Sequence, residues 1–188
     1  MANDLLDKIG QHHLCLADEL KKNRRYDPIL RDVPILYRWW FPKTSPVFTY
    51  IERQLSDTYL QSLKQKILPN IDSKEETFYA LYFGKSTTGK SRFAEHINGP
   101  DEDSTLRKTI RAIFSAECTC DTEKLNAELR KCYFEWFELS DDQELIDCIE
   151  VLAITVGHYP LNIEANHSDD NGWKQGLVSQ RKKSKQTK

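Results

Sequence analysis

The chain has 188 residues, which is the size of one domain and too short for two of ordinary size. Hydrophobic residues make up 39% and charged residues 30%, so the chain can build a core, and disorder of the whole chain is excluded. The formal net charge of −2 gives no overall basic field, so DNA binding would have to depend on local patches.

The sequence indicates neither a membrane segment nor a secretion signal. No apolar run approaches the roughly 18 residues of a membrane span, and the N-terminus MANDLLDKIGQHH lacks an apolar stretch with a cleavage site. The five cysteines have no paired spacing, which favours thiols in a reducing compartment. We therefore expect a cytoplasmic protein.

Residues 3–24 are predicted to form a helix. Their apolar side chains recur at helical spacing, and basic residues follow at the end where cations stabilise a helix. Pro28 and Pro34 then bracket a connector, so residues 1–30 are interpreted as an N-terminal helix and connector. The apolar residues of the pattern are Leu5, Leu6, Ile9, Leu16 and Leu20.

Two aromatic-rich segments, 34–41 and 77–84, are predicted to be strands. Aromatic and β-branched residues favour strands, and Pro or Gly follows or ends each segment. Between them, residues 45–68 carry apolar side chains at helical spacing. The chain therefore has a helical insertion, 43–77, where a tight hairpin could have stood.

The rest of the chain predicts a small mixed α/β (α+β) domain. Its sheet would be three-stranded, largely antiparallel and flanked by helices. After Pro160 the sequence is polar and at best weakly helical, and residues 169–188 are interpreted as a polar, basic tail. The further predicted elements are helices at 89–98, 106–114, 123–131 and 140–156 and a strand at 132–139.

The segment GKSTTGKS, residues 84–91, matches the phosphate-binding pattern GxxxxGK[ST] between a predicted strand and a predicted helix. In a nucleotide-binding protein Lys90 would reach the terminal phosphates and Ser91 would hold Mg²⁺. Against this, no later stretch has four apolar residues followed by Asp or Glu in a strand, as a metal-binding acid would require, and no series of parallel strands follows. Nucleotide binding is therefore an alternative hypothesis.

A second pattern overlaps the first. It consists of ILY at 35–37, YFGKS at 82–86 and, further on, EVLAITVGHYPLN at 150–162. With these motifs, residues 31–168 resemble the GIY-YIG nuclease superfamily, in particular its stand-alone prokaryotic members of the restriction-endonuclease type. The first motif is degenerate, and about 45 residues separate its tyrosine from that of the second motif. The residues that match the family's functional positions are Tyr37, Tyr82, Arg92, His96, Glu150 and Asn162.

The resemblance implies a metal-dependent endonuclease that hydrolyses DNA phosphodiester bonds. Tyr37 would be the general base, with Tyr82 positioning the phosphate or the water. Arg92 and His96 would contact the phosphate, and Glu150 would bind one divalent cation, Mg²⁺ or Mn²⁺. The resemblance further implies that Asn162 is a scaffold residue of the active site. The protein would act on DNA as a monomer or homodimer.

From the residues alone, alternatives stay open. Tyr37 and Tyr82 could equally be core residues, and a phenol of ordinary pKa is a poor base unless Arg92, Lys85 or a metal lowers that pKa. Glu150 lies at the edge of an apolar helix face, where a metal or a basic side chain could offset its charge. A weakly active or inactive DNA-binding module of the same fold is a further hypothesis.

Local cations are expected to bind phosphate. The basic tail from residue 181 onward could contribute generic DNA affinity, or it could be a solvated terminus. A zinc site at His12-His13-Leu14-Cys15 or Cys118-x-Cys120 lacks a partner pair at structural spacing. The cations expected to bind the substrate are Lys85, Lys90, Arg107, Lys108 and Arg111.

Overall fold

One antiparallel sheet organises the fold. The structure is a computed structural model of the chain, and it describes residues 11–22, 30–64, 67–68, 76–100, 103–117, 121–139, 143–162 and 172–186. The sheet has four strands in the order β1-β4-β2-β3, and neighbouring strands are antiparallel. The mixed α/β prediction is confirmed, with one strand more than expected. The strands are β1 (Gln11–Leu16), β2 (Ile35–Pro42), β3 (Phe78–Ser86) and β4 (Tyr133–Glu138).

The prediction of a helix over 3–24 is wrong for its central part. Residues 11–16 form β1, which pairs with β4 along its whole length, and the described residues that follow it, Ala17–Lys22, form a helix, α1. Alternate β1 side chains face opposite sides of the sheet, with Leu14 packed against one core and Cys15 against the other. Pairing with a strand more than a hundred residues away therefore outweighed a local helical spacing. Residues 1–10 lie outside the described part of the chain.

The insertion between β2 and β3 contains two helices where one was predicted. Ser45 caps α2 (Pro46–Gln54) by accepting a hydrogen bond from the backbone N–H of Val47. Leu55 has extended backbone angles, which end α2 before α3 (Asp57–Lys64) begins. The helices that follow β3 are α4 (Gly89–Asn98), α5 (Thr105–Glu117), α6 (Thr122–Arg130) and α7 (Gln143–Gly157).

The segment predicted to be a weakly structured tail forms a packed helix, α8 (Trp173–Gln186), which lies against α5. Trp173 and Leu177 are buried, and the Trp173 indole N–H donates to the carbonyl of Pro160 at 2.8 Å. The guanidinium of Arg181 donates to the carbonyl of Thr105 at 2.9 Å. Two apolar anchors one turn apart thus attach a polar, basic helix to the domain. In the described residues, no helix is both long and apolar enough to cross a membrane.

The sheet separates two apolar clusters. The larger contains Tyr37 and Trp39 of β2 and packs under α2, α4, α5 and α8. The smaller contains the alternate β2 residues Leu36 and Trp40 and the apolar face of α7. Adjacent strand residues point to opposite faces, so Tyr37 lies on the face of the sheet that α4 covers. Two residues separate the end of β3 from the start of α4.

Candidate active site

Tyr37 and Gly84 pair across strands β2 and β3. The ring of Tyr37 crosses the backbone of Gly84, and a Cβ at residue 84 would stand 2.6 Å from the Tyr37 hydroxyl oxygen. Real Cβ atoms do not come so close to another atom. Glycine is therefore required at residue 84 for the tyrosine to lie flat on the strand.

Tyr82 lies on the same face of the sheet as Tyr37, because it stands two residues before Gly84 on β3, next to a β-bulge. Trp39 pairs with Tyr82 and Trp40 pairs with Ala80, so Leu81 is the extra residue of the bulge. The Tyr37 and Tyr82 rings lie 6.2 Å apart. The register of β2 and β3 therefore places the tyrosines of the two motifs side by side.

Burial sets the protonation state of the two phenols in the protein alone. It raises the pKa of Tyr37 well above its usual value, and Tyr82 adds to the rise while Arg92 opposes it. Burial likewise raises the pKa of Tyr82 to about 12, against the effect of Arg92. In the protein alone Arg92 does not lower the Tyr37 pKa overall, because desolvation outweighs the guanidinium, and the lowering of this pKa by a metal stays a prediction.

Helix α4 contributes Arg92 and His96, one turn apart on one face. The Nε2 atom of His96 lies 2.9 Å from the Tyr37 hydroxyl, and the imidazole is buried. Burial, together with the charges of Arg92 and Arg107, lowers the pKa of His96 well below its usual value, so the ring is neutral. The Arg92 side chain keeps 32% of its surface exposed and donates to Glu95 at 2.7 Å.

Ser104 is a site residue that the sequence pattern did not reveal. Its hydroxyl lies 2.7 Å from Nδ1 of His96 and accepts the backbone N–H of Arg107 at 3.2 Å. It is the cap residue before α5, a role that the sequence signals through Ser followed by a helical pattern. Its contact with His96 depends on how α4 and α5 pack and has no local sequence signal.

Helix α7 contributes Glu150. One of its carboxylate oxygens lies 3.2 Å from Nζ of Lys85 at the end of β3, and its side chain is 20% exposed. Lys85 also contacts Asp147, one turn earlier, at 2.7 Å. The charge of Glu150 raises the pKa of both Tyr37 and Tyr82, which identifies it as a neighbour of the two phenols.

Asn162 binds the strand that carries Tyr82 and Gly84. Its side-chain oxygen accepts from the backbone N–H of Phe83 at 2.8 Å, and its amide nitrogen donates to the Phe83 carbonyl at 2.6 Å. Because β3 is an edge strand, these bonds satisfy backbone groups that no further strand pairs. The arrangement supports the scaffold role for which Asn162 was singled out.

The cations predicted to bind substrate do not form one group. Arg107 is fully buried, and its Nη1 donates to the carbonyl of His96 and to Asn126, both at 2.9 Å. The prediction that Arg107 binds substrate is therefore wrong, because its guanidinium holds α4, α5 and α6 together. Lys90, Lys108 and Arg111 are half-buried on α4 and α5, and their role in binding stays a prediction.

The phosphate-loop pattern does not form a phosphate-binding loop. Residues 84–86 belong to β3 and are paired with β2, which leaves only Thr87 and Thr88 between strand and helix. The backbone N–H of Gly89 donates to the carbonyl of Val33 at 3.0 Å. A Cβ at residue 89 would lie 3.0 Å from Ile35, so this glycine serves the packing of α4 against β2.

Glu150 has the chemistry of a ligand for a hard divalent cation. A partly exposed carboxylate suits Mg²⁺ or Mn²⁺, which bind through oxygen and keep several waters. Within the described residues there is no group of three or more His, Cys, Asp and Glu side chains that could hold a metal. Glu150 would therefore share the ion with water and phosphate oxygens. Cys118 and Cys120 lie outside the described residues.

Comparison with known proteins identifies one family. The GIY-YIG catalytic domain matches residues 35–183, which include both tyrosine motifs, Glu150, Asn162 and most of α8. No curated protein and no solved structure gives a significant match.

Proposed function

The chain belongs to the GIY-YIG catalytic domain family, a family of endonucleases, and we propose that it cuts DNA by hydrolysing phosphodiester bonds with one divalent cation. The observation that carries the proposal is the convergence of three elements on one site. The β2–β3 pair brings the two tyrosines, α4 brings Arg92 and His96, and α7 brings Glu150.

Phosphodiester hydrolysis needs a base for the attacking water and positive charge for the developing oxyanion. In the proposal Tyr37 is the base and Tyr82 orients the water or the phosphate. Arg92 supplies the positive charge, and its Nε is buried without a hydrogen-bond partner in the described residues, so a phosphate oxygen would satisfy it. A cation held by Glu150 would neutralise charge on the phosphate and its leaving oxygen.

The gradient of exposure across the site supports these roles. Tyr37 and Tyr82 are buried, whereas Arg92 and Glu150 keep 32% and 20% of their side chains exposed. The tyrosines would thus form the floor of the site and the two charged residues its rim. Phosphate, metal and the attacking water would enter from solvent at the rim and meet the two tyrosine hydroxyls at the floor.

The degenerate first motif is compatible with an active enzyme, because the fold accommodates its altered residue. The large Ile35 takes the place of a small residue, and its side-chain carbons lie 3.0 and 3.1 Å from where a Cβ on Gly89 would stand. The glycine on α4 therefore makes room for Ile35, and Tyr37 keeps its position beside His96. The motif has changed without displacing its tyrosine.

Incubation of supercoiled plasmid with the purified protein tests the proposal. Nicking or linearisation is expected with Mg²⁺ or Mn²⁺ and not with EDTA. Arg92→Ala should reduce the rate at least a hundredfold, as loss of a group that stabilises transition-state charge does. Ser91→Ala is the matched control, because Ser91 is exposed on the same helix. DNA binding without cleavage under all metal conditions would favour the inactive module.

A further inference from the structure

A hydrogen-bonded chain connects the start of α5 with the tyrosine on β2. The backbone N–H of Arg107 donates to the Ser104 hydroxyl at 3.2 Å, which lies 2.7 Å from Nδ1 of His96. Nε2 of the same imidazole lies 2.9 Å from the Tyr37 hydroxyl. Ser104, His96 and Tyr37 are all buried, so water does not compete for these bonds.

The donors and acceptors along these hydrogen bonds determine the direction in which each bond runs. Among the described residues, the Ser104 hydroxyl has two hydrogen-bond neighbours, the N–H of Arg107 and Nδ1 of His96. The N–H can only donate, so the hydroxyl accepts there, and of these two neighbours only Nδ1 of His96 can accept the proton of the hydroxyl. A neutral imidazole that accepts at Nδ1 carries its proton on Nε2.

We propose that Ser104 is a positioning residue that holds His96 in the Nε2–H tautomer, so that His96 donates a hydrogen bond to the oxygen of Tyr37. The proton of Tyr37 is then not needed for His96 and can point toward the neighbouring Tyr82, whose ring lies 6.2 Å away. The tautomer assignment stands on the geometry of this chain. Its catalytic consequence rests on the proposed nuclease function.

The surroundings of His96 favour a role as hydrogen-bond donor to Tyr37 and disfavour a role as a second general base. Arg92 and Arg107 both place positive charge near the ring, and the ring is buried. A charged imidazolium is disfavoured there, so His96 is poorly suited to take up the proton of Tyr37. A neutral N–H donor instead stabilises the tyrosinate, since a hydrogen bond to the charged form favours it. Tyr37 would form the tyrosinate by releasing its proton to solvent, and the tyrosinate would then take one proton from the attacking water and return to the neutral phenol.

The tautomer is measured directly by NMR. In protein with ¹⁵N-labelled histidine, the protonated and unprotonated ring nitrogens resonate far apart, and the His96→Gln variant assigns the signals. The wild-type protein is expected to show a protonated Nε2 and an unprotonated Nδ1 at His96. A protonated Nδ1 in the wild-type protein would overturn the proposal, and this result does not depend on whether any variant folds or cuts DNA.

Ser104→Gly tests the role of the hydroxyl, because glycine is nearly as good a helix cap as serine. Mixed tautomers at His96 are expected in this variant, and Ser104→Thr should restore the single one. Ser45→Gly is the matched control, since Ser45 is a buried cap residue at α2 with no contact to His96. An unchanged His96 signal in Ser104→Gly would show that Ser104 does not set the tautomer.

The rate of DNA cleavage under single-turnover conditions tests the catalytic part of the proposal. Ser104→Gly is expected to slow cleavage about tenfold, the size of one lost hydrogen bond, while DNA affinity stays within about twofold. Ser104→Thr should recover most of the rate. A changed tautomer with an unchanged rate would contradict the catalytic role of the chain. A wild-type protein that cuts no DNA but shows the Nε2–H tautomer would refute the proposed function and leave the assignment intact.

Discussion

Tyr37 and Gly84 face each other across β2 and β3 so closely that residue 84 has no room for a side chain. The two residues come from the two separate sequence motifs, and the contact gives a physical reason for the glycine of the second motif. Its absent side chain is the space in which the tyrosine of the first motif lies. The two motifs are thus one packing unit.

Gly84→Ala should therefore damage the site more than the fold. The added methyl group would collide with the Tyr37 hydroxyl and displace it from His96. Overpacking of this kind costs about 1–3 kcal/mol of unfolding free energy, and cleavage should fall below detection in the plasmid assay. Gly176→Ala is the control, because a Cβ there meets nothing within 4 Å and alanine favours a helix interior. Urea unfolding and plasmid cleavage of both variants provide the comparison, and an active Gly84→Ala protein would contradict it.

The sequence was sufficient for elements whose pattern is local. Strands β2, β3 and β4 combine aromatic residues with nearby turn signals, and their predicted bounds differ from the observed ones by one or two residues. Strand β1 was missed because its stability comes from pairing with β4, which a local helical spacing conceals. Helix α8 was missed because Trp173 and Leu177 are few anchors in a polar segment. Both misses are elements that depend on tertiary contacts.

The site shows the same division. The resemblance singled out Tyr37, and the register of β2 and β3 explains its place. The bulge at Leu81, the contact of Ser104 with His96 and the burial of Arg107 all depend on how distant elements pack. A buried arginine and a solvent-facing arginine look alike in a sequence, which is why Arg107 was assigned to substrate.

ATP and GTP should not bind in the micromolar range. Residues 84–86 are engaged in the sheet, so their N–H groups cannot form a phosphate cradle, and the N–H of Gly89 is bonded to Val33. Isothermal titration calorimetry with Mg²⁺ and each nucleotide should show no heat above dilution. Micromolar binding that disappears in Lys90→Ala would restore the nucleotide hypothesis.

Helix α8 carries one arginine that stabilises the fold, Arg181, and two exposed lysines, Lys182 and Lys183. Arg181 bonds to the start of α5, so Arg181→Ala should lower the unfolding free energy by about 1.5 kcal/mol. Lys182 and Lys183 are exposed, and replacing both with glutamine should leave stability within about 0.5 kcal/mol. If they contact phosphate, the same change reduces the salt dependence of DNA affinity by about one to two counterions. Fluorescence anisotropy at several salt concentrations measures the slope, and an unchanged slope would remove these lysines from the interface.

A buried ion pair on the opposite face of β2 makes stability depend on pH. Glu135 accepts hydrogen bonds from Arg38 at 2.7 Å, from Trp40 at 2.8 Å and from His12 at 2.8 Å. Burial raises the pKa of Glu135, but the hydrogen bond from His12 and the charge of Arg38 outweigh it, so the pKa is lowered overall. The carboxylate therefore contributes stability above its unfolded-state pKa, near 4.5, and loses it as the pH falls through the folded-state value.

Glu135→Gln should remove this dependence. At neutral pH it leaves the buried guanidinium of Arg38 without its counter-charge, which costs about 3–5 kcal/mol. Urea unfolding at pH 7 and at pH 3.5 should show a large difference between wild type and variant at the higher pH and a smaller one at the lower. An equal difference at both pH values would show that the folded-state pKa of Glu135 is not depressed.

Glu150 offers the clearest separation of a catalytic from a structural carboxylate. Its basic partner Lys85 is one-third exposed and keeps a second contact with Asp147 at 2.7 Å, so Glu150→Gln leaves no buried charge unpaired. The variant should therefore lose no more than about 1 kcal/mol of unfolding free energy in EDTA, as expected for a partly exposed ion pair. Cleavage should be abolished and DNA binding kept, because the amide preserves the shape of the side chain but is a poor ligand for Mg²⁺ or Mn²⁺.

Glu144→Gln is the control, since Glu144 is an exposed acid in the first turn of the same helix. Thermal melts in EDTA and plasmid cleavage with each metal are the two measurements. Nuclease activity that survives in Glu150→Gln would exclude Glu150 as the metal ligand. A melting temperature lowered by as much as a loss of about 3–5 kcal/mol of unfolding free energy produces would exclude it as well.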